Sequence, residues 1–205
     1  MRSPLGRRAL SLQPSATIAV DARAKALIAS GVDVVNLTAG EPDFPTPAVP
    51  SKAGQDAIAE GFTRYTAVAG IAELRSAIAT KLREDNGLEY RPEQVVVSNG
   101  AKQSVYNALM VLLDPGDEVV IPFPAWVSYP EMVRLADGVP VMVDTEPAGY
   151  RLDPTALAAA ITPRTKAIII NSPSNPTGAV YSNEELRAVA KLAIDNDLYV
   201  ISDEI

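Results

Sequence analysis

The sequence predicts a three-layer α/β fold, a mostly parallel sheet with helices on both faces, preceded by an N-terminal arm and helix. Two observations carry this. Strands expected at 118–121, 141–143, 167–170 and 198–201 are separated by helical patterns near 126–136, 154–161 and 183–195, the alternation that builds a parallel sheet. One run, Ala167-Ile168-Ile169-Ile170, is apolar at every position, as a strand covered on both faces should be, so it is expected at the centre.

Residues 1–14 are polar and basic without a period and read as an arm. Ser15 or Thr17 is placed to cap a helix running to Ser30, with Gly31 to end it. A short strand is expected at Val34 to Leu37, followed by a Pro- and Gly-rich stretch. Thr46 is then placed as a cap and Pro47 as the first residue of a helix ending near Gly61. Leu74, Ala77, Ile78 and Leu82 mark a helix that stops at Gly87, and Val95-Val96-Val97 reads as a strand. The next helix places Val105, Ala108, Leu109, Leu112 and Leu113 on one apolar stripe and ends at Asp114-Pro115-Gly116. The Ala-rich stretch 156–160 is expected to be a packing helix.

Composition narrows the chemistry. Lys and Arg number 18 against 25 Asp and Glu, a formal charge of −7, which repels a nucleic-acid backbone. The 205 residues contain neither Cys nor His, so disulfides, thiolate nucleophiles, Ser-His-Asp triads and His-based metal sites are excluded within them. The longest apolar runs, such as Ala108 to Leu113, are six residues, far below the roughly 20 of a membrane span. Arg7 and Arg8 are followed by Gln13, Pro14 and Ser15 where a signal peptide would be apolar. A cytoplasmic protein is expected, one that works with Asp, Glu, Lys, Tyr, Ser or a borrowed cofactor.

In an open parallel sheet ligands gather beyond the carboxyl ends of the strands. Ser98-Asn99-Gly100-Ala101-Lys102-Gln103 joins an expected strand to a helix, where free N–H groups can face an anion; the alternative is a plain turn. Asn171-Ser172-Pro173-Ser174-Asn175-Pro176-Thr177-Gly178 is a stiff polar loop with two Asn donors, or simply a well-made turn. Trp126, the single Trp, offers a flat wall for a planar heterocycle or a piece of core. Asp203 and Glu204 lie at the mouth of a buried strand, where a carboxylate either caps the next element or pairs with a cation. No Gly-x-Gly-x-x-Gly fingerprint follows the first core strand, which disfavours a dinucleotide-binding domain.

Taken together, six segments resemble the class I, fold-type I pyridoxal-phosphate-dependent aminotransferases, in the subgroup related to bacterial aspartate and aspartate/prephenate aminotransferases. They are Ala39-Gly40-Glu41-Pro42-Asp43-Phe44, Tyr65 to Gly70 before Glu73-Leu74-Arg75, Ser98 to Gln103, Trp126-Val127-Ser128-Tyr129-Pro130, Asn171 to Gly178, and Ser202-Asp203-Glu204-Ile205. Each alone is weak; six in order across the whole chain are specific. The resemblance implies that Gly100, Ala101 and Lys102 hold the phosphate of pyridoxal 5'-phosphate, that Trp126 stacks on its ring and that Asn175 bonds the phenolic oxygen. It further implies that Asp203 keeps the ring nitrogen protonated, which makes the ring an electron acceptor. Gly40 resembles a backbone contact to the substrate carboxylate, and Tyr65 a tyrosine that reaches the phosphate of the neighbouring subunit in a homodimer. Trp126 and Asn175 also border the implied substrate position. Ser15, Thr17 and Lys102 match positions linked to the distal carboxylate of an acidic amino acid, so aspartate is the implied donor to a 2-oxo acid, with prephenate as a related acceptor.

The resemblance divides the chain into 1–45, an arm with part of a small domain, and 46–205, the first part of the large cofactor-binding domain. It also implies residues that the 205 do not contain. Lys25, Lys52, Lys81, Lys102, Lys166 and Lys191 are the only lysines, and none matches the family's Schiff-base lysine. The expectation is therefore the N-terminal portion of a longer enzyme, inactive alone. The alternative is a non-catalytic, cofactor-binding or regulatory fragment.

Overall fold

A computed structural model of the chain describes residues 5–12, 16–38, 40 and 42–204. They fall into two compact units, one of Met1–Ala19 with Gly100–Ile205 and one of Val20–Asn99.

The first unit is built on four parallel strands, β1 (Glu118–Phe123), β2 (Val139–Asp144), β3 (Thr165–Asn171) and β4 (Tyr199–Asp203), in the order β2-β1-β3-β4. The expected central strand is β3, interior to the sheet and buried at six of its seven positions. Two cores follow from the two-residue period of the strands. Val119, Ile121, Ala167 and Ile169 point to one face, where they pack with Leu109 of α5 (Ala101–Leu112) and Val133 of α6 (Ser128–Leu135). Val120, Ile168 and Ile170 point to the other, against Leu157 of α7 (Pro154–Ala159) and Val189 of α8 (Asn183–Asp195). Helices therefore cover both faces, as the unbroken apolar run required.

The local signals that start these helices are legible. The Asp153 carboxylate accepts from Thr155 N–H at 2.8 Å to open α7. Ser182 and Glu185 form a reciprocal capping box at the start of α8, satisfying two backbone donors that the helix cannot use itself. Burial pushes the Glu185 carboxyl up, but hydrogen bonds from the Ser182 and Leu152 amides and pairing with Arg151 outweigh it and hold the group below its ordinary value.

The arm expected over residues 1–14 instead contains a short helix, α1 (Arg7–Ser11). Five residues cannot sustain a helix alone; tertiary contacts supply the rest. α1 packs against α6, and the Arg8 guanidinium pairs with Asp137, donating from Nε at 3.2 Å.

In α2 (Ala16–Ala29), Thr17 lies inside the first turn, so it does not cap; Ser15 lies outside the described residues. The helix closes as expected, with Gly31 N–H donating to Ile28 O at 2.9 Å.

The second unit is mainly helical, with α3 (Ala48–Ala59) and α4 (Ala72–Asn86). α4 ends on Gly87 in the left-handed conformation, as expected. At α3 the expectation fails by one residue: Pro47 takes the N-cap position in extended geometry and no side chain caps the helix. Thr46 thus stands outside the helix, out of place for its first amides. The strands expected at Val34 to Leu37 and Val95 to Val97 are also absent from the described residues. β-branched residues favour a pleated surface but cannot create one without a partner strand. Val35 is 84% exposed, and Val97 N–H makes a single bond to Ala69 O at 2.9 Å in place of a ladder.

Candidate functional site

The strand order reverses at β1: its connection to β2 leads one way and the crossover to β3 returns past it. A crevice opens at such a switch point, beyond the carboxyl ends of the strands. Asn171 and Asp203 are register partners at the ends of β3 and β4, and Trp126 follows the end of β1 by three residues. A cavity of about 260 Å³ lies here, lined by Ala101, Trp126, Tyr129, Asn171, Asn175 and Asp203.

Each wall has a local cause. Gly100 is the N-cap of α5, with φ +81° and ψ 163°, a conformation that essentially only glycine adopts. No atom lies within 4 Å of where its Cβ would be, so the backbone turn, not crowding, calls for glycine. Ala101 and Lys102 are the first two residues of α5, where the helix itself offers the amides no partners and its start favours negative charge. The Lys102 ammonium adds a cation and stands 4.8 Å from the centroid of the Trp126 ring.

Trp126 is half-buried and meets the Tyr129 ring edge-on, with centroids 5.3 Å apart and planes at 84°. Tyr129 is 2% exposed, and its hydroxyl donates to Asp203 Oδ2 at 2.5 Å. Burial first, and then this bond to a carboxylate, push the Tyr129 phenol well above its ordinary value of 10.0. The proton therefore stays on Tyr129, and Asp203 is the acceptor.

The β3 loop is tied to β4. Asn171 Nδ2 donates to Asp203 O at 3.0 Å, and Asn171 Oδ1 accepts from Asn175 N–H at 2.7 Å. One side chain thus fixes both the strand end that carries Asp203 and the loop that carries Asn175.

Of the residues that the sequence singled out, Ala101, Trp126, Asn175 and Asp203 line one cavity, with Gly100 and Lys102 at the adjoining helix start. Thr17 is exposed on α2 and is not among the lining residues, and Ser15 lies outside the described residues. Gly40 and Tyr65 belong to the second unit and are exposed there. Tyr129 had no assigned role, and Asn171 none beyond that of a loop donor, which it fills toward Asp203 O. The signal for Tyr129 was its i+3 spacing from Trp126, and for Asn171 its place as the last residue of the central strand.

The donor set suits a planar ring carrying an anionic arm: a flat wall, helix-start amides beside a lysine, an amide and a carboxylate. The aminotransferase class I and II family profile matches residues 32–205. The chain is 55% identical to the probable aspartate/prephenate aminotransferase of Thermus aquaticus over 98% of its own length and 53% of that protein. It is 54% identical to the aspartate/prephenate aminotransferase of Thermus thermophilus, over 98% of this chain and 52% of that one. The solved aspartate aminotransferase of Thermus thermophilus with maleate superposes with a TM-score of 0.95 at 54% identity, covering 100% of this chain and 54% of that one. The chain spans about half the length of these relatives. With that profile, those identities and this sheet, the chain belongs to the class I and II aminotransferases, a family of pyridoxal-phosphate-dependent enzymes.

Proposed function

We propose that this chain supplies the cofactor pocket for pyridoxal-phosphate-dependent transfer of an amino group from an amino acid, aspartate by preference, to a 2-oxo acid. The observation that carries the reading is the convergence of Ala101, Trp126, Asn175 and Asp203 on one cavity at the strand ends. The residues present fit the group. The amides of Ala101 and Lys102 and the Lys102 ammonium hold the phosphate. Trp126 walls the ring, Asn175 bonds its phenolic oxygen, and the Asp203 carboxylate holds a proton on its nitrogen. When bound, the cofactor supplies an electron sink for the pair released as the substrate loses its α-proton.

Gly40 contributes a backbone contact to the substrate α-carboxylate. Lys102, with Ser15 and Thr17, serves the distal carboxylate of an acidic substrate. Tyr65 reaches the phosphate of a partner subunit in a cytoplasmic homodimer; the exposed Phe44, Tyr65 and Val68 of the second unit support a partner there. Residues 1–45 act as an arm with part of a small domain, and 46–205 as the start of the large cofactor-binding domain. None of the lysines Lys25, Lys52, Lys81, Lys102, Lys166 and Lys191 occupies the cofactor-bonding motif. These 205 residues alone are therefore expected to bind the cofactor without turning over substrate. That same observation keeps a binding or regulatory fragment as the second reading.

The test is titration of the chain with pyridoxal 5'-phosphate, read by quenching of Trp126, followed by borohydride reduction and intact mass. Saturable quenching at one equivalent with no site-specific adduct at 21.7 kDa fits the proposal. Absence of quenching sinks it. Transamination restored on joining the rest of the enzyme distinguishes the first reading from the second.

A further inference from the structure

Asp203 is held on three sides. Its backbone carbonyl accepts from Asn171 Nδ2 at 3.0 Å and from Ser172 N–H at 3.3 Å, and its Oδ2 accepts from the Tyr129 hydroxyl at 2.5 Å. Among the described residues, Oδ1 has no hydrogen-bond donor, and Asp203 borders the cavity. Tyr129 itself cannot drift. It is 2% exposed, packed edge-on against Trp126 and set in the first turn of α6. Its phenol therefore locks one carboxylate rotation and leaves the other oxygen to the ligand.

We propose that Tyr129 is a positioning residue, which by its hydroxyl fixes the rotation of the Asp203 carboxylate and aims Oδ1 at the ring nitrogen of the bound cofactor. The proposal rests on the function proposed above. A donor fixed on Oδ2 removes a torsional freedom that ligand binding would otherwise have to quench. The same ring forms the edge contact to Trp126, so the wall beneath the ring and the carboxylate at its nitrogen are fixed by one side chain.

The test compares Tyr129→Phe with the unmodified full chain on two ligands, pyridoxal 5'-phosphate and its analogue with C–H in place of the ring nitrogen, by equilibrium titration of Trp126 emission. Phe keeps the ring that packs on Trp126 and deletes one oxygen. The expected result is a three- to tenfold weaker affinity for pyridoxal phosphate and an unchanged affinity for the analogue, which offers Asp203 nothing to hold. Equal losses on both ligands, including complete loss through misfolding, mean that Tyr129 is merely structural and overturn the proposal; so does no loss on either. Binding of neither ligand by the unmodified chain overturns the proposed function and this inference with it. Binding by the unmodified chain with parallel losses in the variant removes this inference alone.

Discussion

The Lys102 ammonium stands 4.8 Å from the centroid of the Trp126 ring, in the first turn of a helix whose N-cap is a glycine without a side-chain cap. The lysine is exposed, so the contact is worth only about 0.5–1 kcal/mol to the fold. Its larger effect is on an anion at the helix start. Lys102→Met is expected to change stability by less than about 1 kcal/mol. It should weaken pyridoxal phosphate binding roughly tenfold, with a flatter salt dependence because one screened charge is gone. Titrations at two ionic strengths check this; a variant with the salt slope of the parent would contradict it.

Gly100→Ala isolates the backbone. With φ at +81° and open space around the missing Cβ, the substitution meets no steric neighbour and suffers only conformational strain, about 1–3 kcal/mol. The first turn of α5 should fray to relieve it. Urea denaturation is expected to show a lower midpoint, and cofactor binding should weaken further than that of a control such as Val111→Ala, exposed on the same helix and outside the cavity lining. A neutral Gly100→Ala would mean that the turn is not needed.

The sheet of the first unit was readable because β3 needs no context. Ala167 to Ile170 is apolar throughout, three of its four residues being β-branched Ile, as suits a strand buried on both faces. Glycine signals placed helix ends at Gly31 and Gly87 for equally local reasons. What failed was non-local. Val95 to Val97 has strand composition, yet no sequence rule says whether a partner strand lies beside it. α1 was missed because its stability comes from α6 and from Asp137, far along the chain. In the site, the family resemblance drew residues 126, 175 and 203 together, and they line one cavity. The bond from Tyr129 to Asp203 spans 74 positions and had no signature beyond spacing.

The contrast between a true strand and an apparent one can be measured. Ile168 is fully buried between β1 and β4 neighbours, whereas Val96 is 65% exposed and outside any sheet. Ile168→Ala is expected to cost about 2–5 kcal/mol through lost burial and a residual cavity. Val96→Ala should stay within about 0.5 kcal/mol, as surface changes do. Equal losses on chemical denaturation would return Val96 to a core.

Stability should also carry a signature of Glu118, a carboxylate 4% exposed at the start of β1. Thr162 Oγ1 donates to its Oε2 at 2.5 Å, and the Arg164 guanidinium pairs with its other oxygen. The Thr162 hydrogen bond holds the carboxyl below its ordinary value of 4.5, with Arg164 assisting and burial opposing. A carboxyl whose folded value is depressed contributes stability that is fully present above its unfolded value and is lost as pH falls through the folded one. Glu118→Gln is therefore expected to be less stable than the parent near pH 7, by about 1–3 kcal/mol for the lost charged hydrogen bonds. The gap should narrow as the pH falls below about 4.5 and close only below the depressed folded value, where the folded parent protonates the same group. Urea midpoints of the two proteins across that range give the result directly. Curves that stay parallel from neutral to acid would show that Glu118 acts through its shape and not its charge.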